Sequence, residues 1–255
     1  MNKDYVKEYV KLEEHHWWFI VRQHILISLL RKHNRQKSLR ILNVGAAGGA
    51  SSRWLAAFGE VISLESDPYF VAYLLTKNII VEHASVTQMP FLNDAFDLVC
   101  AFDVLEHVQD DEVAIREMER VCKIGGLICI TVPSFDILWS NHDKVNGHFR
   151  RYRKLPLLQR FQVSPSLNIL EIKYFNSLLF VPILLARKFS NWFGNSRSKT
   201  HSDFTKFDTG SLSNKILKAI FSLEIPLLSV INFPVGVSLF GLWKKGPKIN
   251  QSQQT

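Results

Sequence analysis

The stretch ILNVGAAGGA, residues 41–50, runs from an apolar segment into small residues with almost no side chains. A run of this kind reads as a buried strand ending in a tight turn that opens a helix, where backbone can come close to a ligand. Its surroundings repeat the pattern. LRILNV (39–44), VISLE (61–65), NIIVE (78–82), FDLVCAF (96–102) and LICITVP (127–133) read as strands. Ser51–Phe58, Pro68–Lys77 and Asp111–Cys122 read as helices between them. Strands alternating with helices predict a mostly parallel α/β sheet covered on both faces. In such a sheet, ligands bind at the carboxyl ends of the strands, beside the switch point.

Glu65 closes the second strand, where an acid accepts hydrogen bonds from ribose hydroxyls. Loop and acid together predict a nucleoside-containing cofactor; a tight turn with an unrelated surface Glu is the plainer alternative. The dinucleotide fingerprint G-x-G-x-x-G fails from Gly45, because its second and third glycines fall on Ala47 and Ala50.

The loop instead resembles the first motif of class I S-adenosylmethionine-dependent methyltransferases, an acid followed by x-G-x-G-x-G. Asn43 stands here for the acid and Ala47 for the second glycine. Residues 84–134 are similar to the central block of that family, with a Pro-Phe turn, a strand, Leu105-Glu106-His107, an acidic helix start and a Gly-Gly turn. The resemblance implies a Rossmann-like seven-stranded sheet whose last strand is antiparallel, with S-adenosylmethionine as cofactor and S-adenosylhomocysteine as product. It implies cofactor contacts from Asn43, Gly45, Ala46, Ala47, Gly49, Glu65, Ser66, Ser85, Val86, Phe102 and Asp103. Asp103 is expected at the ammonium group, and Ser85 with the Val86 backbone at the adenine.

The N-terminal EEHHWWFIVRQHIL (13–26) lies in a stretch that reads as one helix over 5–32. The resemblance makes residues 1–36 a lid, with His16, Trp17 and Arg22 over the cofactor; plain helix packing is the alternative. After the fifth strand, WSNHDKVNGHFRRYRKLPLLQRF (139–161) crowds polar and aromatic side chains. Asp143, Arg150, Arg151 and Tyr152 are candidate substrate contacts, the arginines as clamps for a phosphate or carboxylate. His107, His142 and His148 are the candidate general bases. The spacing of His142, Asp143 and His148 matches no standard metal site, so no metal is read.

The remaining organisation is one domain. Its core is 37–176 and 236–245, with NILEIKYFN (168–176) and GVSLFGLWKK (236–245) as the last two strands. Residues 177–235 form an insert expected to be helical, with seven Lys or Arg against three Asp or Glu, a polar loop at 195–211 and apolar runs at either end. Pro226 and Pro234 interrupt the longer apolar run, which argues against a membrane span. Apolar faces with basic edges instead suit a second subunit, a substrate cap or a membrane surface. The tail 246–255 is polar and expected to lack order.

The formal charge of +8 favours an anionic partner, but no aromatic residues interleave the Lys and Arg of 31–40, so nucleic acid is disfavoured. Three cysteines without metal spacing and a charged N-terminus predict a reduced, cytoplasmic chain, and the insert 177–235 is the candidate for peripheral contact at the inner membrane surface. The activity expected is methyl transfer to oxygen or carbon of a small or lipid-linked acceptor. A methyltransferase-fold binding or scaffold subunit and a nicotinamide-dependent oxidoreductase remain as alternatives.

Overall fold

The computed structural model describes residues 3–34, 38–192 and 211–247. Seven strands form one sheet: β1 (Leu39–Val44), β2 (Gly59–Glu65), β3 (Val81–His83), β4 (Phe96–Phe102), β5 (Cys122–Pro133), β6 (Leu167–Phe175) and β7 (Ser238–Lys245). Their spatial order is β3-β2-β1-β4-β5-β7-β6. The pairings among β1 to β5 are parallel, and β7 runs antiparallel to both β5 and β6. The chain leaves β1 toward β2 on one side and returns to β4 on the other, so the switch-point crevice opens at the carboxyl end of β1.

Side chains alternate between two cores, as strand geometry requires. Leu42, Val44, Val99, Ala101, Ile128 and Ile130 face one core, where α5 (Asp111–Val121) and α7 (Lys154–Phe161) pack. Ile41, Leu98, Cys100, Phe102 and Cys129 face the other. Against that second face lies α2 (Trp17–His33), burying Val21, Ile25, Leu26, Leu29 and Leu30 along one side. Each such side chain removed from water is worth about 1.5–3 kcal/mol.

The N-terminal helix is interrupted. Residues 3–33 form α1 (Lys3–His15) and α2, not one helix over 5–32. His16 adopts extended backbone (φ −76°, ψ 134°) and its ring accepts the Trp18 N–H, capping α2 from within an unbroken apolar pattern. Two further boundaries move. Cys122 starts β5 by pairing with Phe96 rather than ending a helix. Residues 78–80 turn out of α4 (Pro68–Thr76), with Asn78 at φ 55°, so β3 begins only at Val81.

The insert is helical where described: α8 (Phe180–Trp192), α9 (Leu212–Ser222) and α10 (Glu224–Val230). Residues 195–210 of the polar loop and 248–255 of the tail lie outside the described residues. α9 bolts onto the break between α1 and α2. Asn214 Oδ1 accepts the Trp17 N–H at 2.9 Å, its Nδ2 reaches the His15 carbonyl, and Phe221 meets the Trp17 ring edge-on at 5.7 Å. The helices α3 (Ala50–Leu55) and α6 (Asn141–Val145) complete the framework of the site. Among the described residues, no helix is long and apolar enough to cross a membrane.

Candidate functional site

The loop after β1 uses its small residues for three different purposes. Gly45 takes φ 67°, and a Cβ there would come within 2.6 Å of Val104 Cγ2. Ala47 is also left-handed at φ 44°, a conformation usually given to glycine, and its N–H donates to Glu65 Oε2 at 2.9 Å. Gly49 faces away from the crevice, because a Cβ would meet Ile79 and Leu74. Ala46 is fully buried and its carbonyl accepts the Gly49 N–H. Of the expected cofactor contacts, Ala46 and Gly49 thus shape the turn from behind it.

Two polar groups hold the turn. Asn43 is buried, and its Nδ2 donates to Ser51 Oγ at 2.8 Å and Ser52 Oγ at 2.9 Å, tying β1 to α3. Glu65 accepts from Ala47 on one oxygen and from the Ser66 and Asp67 amides, at 2.8 and 2.9 Å, on the other. The carboxylate ending β2 is therefore aimed by three backbone donors. Ser85 is exposed at the rim and bonds Thr87 Oγ1 at 2.8 Å, while the Val86 side chain is buried in the core.

Helix α1 packs against this turn. A Cβ on Gly48 would collide with the Glu13 carboxylate of α1 and with Val10. Glu13 is pushed up to about 8 by burial, with the Ala50 amide and Arg53 opposing. Arg22 of α2 pairs with Asp103 at 2.9 Å, and its guanidinium lies over the Trp18 ring at 4.6 Å. Asp103 sits just past β4 in the left-handed region, at φ 56°. The space left between α1, α2 and the turn is about 50 Å³, lined by Tyr9, Glu13, Arg22, Gly45, Ala47 and Trp54 among others.

Beside Asp103 lies a larger cavity of about 300 Å³. Trp17, Phe102 and Ile183 supply apolar wall, and Glu106, His107, His142, His148 and Arg151 supply polar wall. The Leu105–His107 turn and the 140–151 segment are joined by the Phe149 N–H donating to the Glu106 carbonyl at 2.8 Å. The His107 and His148 rings meet edge-on, 4.6 Å apart. Desolvation first, and His148 second, pull His107 down to about 4.

Asp143 organises the segment rather than facing the cavity. It is fully buried. It receives His148 Nδ1 at 2.9 Å, Arg151 Nε at 2.8 Å, Arg151 Nη2 at 3.1 Å and the Ser140 amide at 2.8 Å. Against the desolvation of burial, His148 and Arg151 hold its carboxyl well below the usual range. Arg150 and Tyr152 turn the other way. Both reach Asp111 at the start of α5, at 2.8 and 2.7 Å. Asp143, Arg150 and Tyr152, expected as substrate contacts, thus bond within the protein and do not line the larger cavity, whereas Arg151 lies on its wall. The residues left out of the sequence reading of the site are Glu13, Glu106 and Asn176. Glu13 stood beside the quoted lid motif, whereas Asn176, buried with both amide atoms unpartnered, carried no local signal.

A seven-stranded sheet closed by an antiparallel strand, a small-residue turn after β1, and acids at the ends of β2 and β4 define the class I methyltransferase architecture. Residues 42–130 match the family described as "Methyltransferase domain". Over this stretch the chain is thus similar to S-adenosylmethionine-dependent methyltransferases, and its sheet has the fold of solved methyltransferases. A "Probable S-adenosylmethionine-dependent methyltransferase" of Mycolicibacterium smegmatis is 26% identical over 126 residues, 48% of each chain. A Pseudomonas syringae protein named "Ubiquinone biosynthesis O-methyltransferase" is 32% identical over 35% of this chain and 42% of its own. A Methanocaldococcus jannaschii protein is 27% identical over 60% of this chain and 64% of its own, so the chain spans less than two thirds of these curated relatives. Among solved structures, a chain of the Haloferax volcanii complex containing the Trm112 methyltransferase activator aligns over 97% of both chains with TM-score 0.63 and 13% identity. Haemonchus contortus phosphoethanolamine N-methyltransferase 2, solved with S-adenosyl-L-methionine, covers 88% of this chain and 52% of its own with TM-score 0.54 and 15% identity.

Proposed function

We propose that the protein transfers a methyl group from S-adenosylmethionine to oxygen or carbon of a small or lipid-linked acceptor held in the larger cavity. The observation that carries this reading is one row of strand ends. Gly45, Glu65 and Asp103 close β1, β2 and β4 side by side, and the row opens onto the cavity at Asp103.

These residues fit the cofactor. Glu65 is held rigidly at the position suited to ribose hydroxyls, Asp103 offers a carboxylate for the ammonium group, and Gly45 leaves backbone open to close approach. Ser85 and the Val86 backbone stand at the adenine end. The bound cofactor supplies a methyl group on a sulfonium, already a good leaving group. The protein's share is alignment of the acceptor, exclusion of water and activation of the acceptor group. His107 and His148 face the cavity and are placed for that activation, with Asp143 orienting His148.

The gap of about 50 Å³ is too small for a ligand of this size, since ligand pockets run to about 300 Å³ or more. Entry therefore requires α1 to move, with Glu13 leaving the turn and Arg22 releasing Asp103. Support for an apolar or lipid-linked acceptor comes from α8. Its Ile183 lines the cavity, while Val181, Leu185 and Phe189 form an exposed stripe at 57%, 50% and 58%. The same stripe supports peripheral membrane contact. The left-handed Ala47 and the closed lid favour a second reading, a binding subunit that has lost turnover.

Calorimetric titration with S-adenosylhomocysteine and, separately, NADH tests the reading. Micromolar binding of the first alone is expected. Absence of such binding by folded protein would favour the scaffold reading, and NADH binding the oxidoreductase. Flotation with anionic liposomes tests the membrane contact, and a folded protein that stays at the bottom would remove it.

A further inference from the structure

We propose that Glu106, His107 and His148 bind a divalent first-row transition-metal ion at the wall of the larger cavity. One donor atom from each lies within 4.8 Å of those of the other two. Bonds of 2.0–2.2 Å to a common ion require these atoms to draw inward by roughly an ångström.

Glu106 is free to make that move. It is 1% exposed, and neither carboxylate oxygen has a hydrogen-bond partner. A buried acid left unpaired in this way is costly, and a cation between it and the two imidazoles removes the cost. His148 is already oriented as a ligand. Its Nδ1 lies 2.9 Å from Asp143 Oδ1, which leaves Nε2 as the second nitrogen of the ring. A metal-bound imidazole commonly directs its other nitrogen at a carboxylate in this manner. Asp143 is in turn fixed by the Arg151 fork and the Ser140 amide, so the ring cannot swing away. The Phe149-to-Glu106 backbone bond holds the two ligand-bearing segments together.

The donor set selects the ion class. Two imidazoles and one carboxylate suit Zn²⁺, Fe²⁺, Co²⁺ or Mn²⁺ better than Mg²⁺ or Ca²⁺, which prefer all-oxygen shells. The three cysteines are buried within the fold and belong to other surroundings. Three protein donors leave coordination positions open toward the cavity, the arrangement of catalytic rather than structural sites.

Metal binding stands by itself, but its role rests on the methyltransferase reading. A cation there lowers the pKa of an acceptor hydroxyl that reaches it. The hydroxyl proton leaves to solvent, an O–C bond forms to the methyl carbon, and the C–S bond breaks with its electron pair staying on sulfur. S-adenosylhomocysteine departs as the neutral thioether.

The test uses full-length protein without a histidine tag, stripped with chelator and dialysed. It is titrated with Zn²⁺ by calorimetry and with Co²⁺ by visible absorption. One equivalent per chain is expected, with Co²⁺ bands of a protein-bound site. Glu106→Gln and His148→Ala should each weaken binding at least 100-fold, and Asp143→Asn about 10–100-fold. Should a variant fail to fold, X-ray absorption of the zinc-loaded wild type decides. A shell of two imidazoles with oxygen supports the site, and a sulfur-containing shell overturns it. No stoichiometric binding by folded wild type, or equal binding by folded variants, overturns it as well. S-adenosylhomocysteine is titrated in parallel. Cofactor binding without metal binding ends the metal proposal alone, and the converse ends the methyltransferase reading alone.

Discussion

Arg22 Nη2 lies 2.9 Å from Asp103 Oδ2, so a cation of α2 occupies the carboxylate proposed to receive the cofactor's ammonium group. Thr131 joins them, accepting from Arg22 at 3.3 Å and donating to Asp103 Oδ1 at 3.2 Å. Replacing the acid while keeping its shape should expose its value. Asp103→Asn is expected to weaken S-adenosylhomocysteine binding about 10–100-fold, the worth of one hydrogen bond to a charged group. Calorimetry measures it, and an unchanged affinity would place the ammonium group elsewhere.

Glu65 should matter to both fold and ligand, because three backbone N–H groups converge on its carboxylate. Truncation to Ala leaves those donors unpaired and should cost about 2 kcal/mol, lowering Tm by roughly 4–8 °C. Cofactor affinity should fall about 100-fold or more, because the turn and the ribose acceptor go together. Glu65→Gln keeps an acceptor oxygen and should recover most of the Tm but less of the affinity. Thermal melts and titrations on both variants separate the two effects.

Ala47 pays for its left-handed backbone at φ 44°. Ala47→Gly should raise stability by about 1 kcal/mol, or Tm by roughly 2–4 °C. A lower Tm would mean that the methyl group's contact with the cluster of Val6 and Val10 of α1 and Phe70 of α4 outweighs the strain.

The lid should respond to pH through Glu13. Its carboxyl sits near 4.5 when α1 is undocked and at about 8 when docked, with burial the main cause. The docked form therefore binds more protons between those values, so docking weakens as pH rises through that window and levels off above 8. Opening should change at most tenfold per pH unit, the limit for one proton. Hydrogen exchange of residues 3–15 between pH 5 and 9 reads it, and Glu13→Gln should abolish the dependence. A pH-independent lid in the wild type would show that Glu13 ionises without leaving its seat.

Asp143 and Arg151 form a buried ion pair, with side chains 0% and 2% exposed. Asp143→Asn strands the guanidinium and should cost about 3–5 kcal/mol, a fall in Tm of roughly 10 °C. A melt within a degree or two of wild type would mean that Asp143 is spare structurally and free for a direct role.

The positions that the sequence by itself determined share a short-range cause. Short apolar runs mark β1, β2, β4 and β5, and the small-residue turn and Glu65 follow directly from where those strands stop. Once the strands are parallel neighbours, Gly45, Glu65 and Asp103 must fall in one row. Even the last strand's antiparallel direction was implied by family resemblance and is seen in the β5–β7 register. His16 shows where this legibility ends. Its helix break leaves the apolar pattern intact, because the cap is made by its own ring.

Tertiary structure alone decided what the coil segments do. Neighbours in sequence part company at Arg150, Arg151 and Tyr152: the first and last reach Asp111, and the middle one turns to Asp143. Residues remote in sequence meet instead, Glu13 at Gly48 and His107 at His148. Periodicity registers which face of an element is buried. It carries nothing about which charged group across the crevice will neutralise a given carboxylate, because that choice depends on the cost of leaving the charge unpaired once the chain has packed.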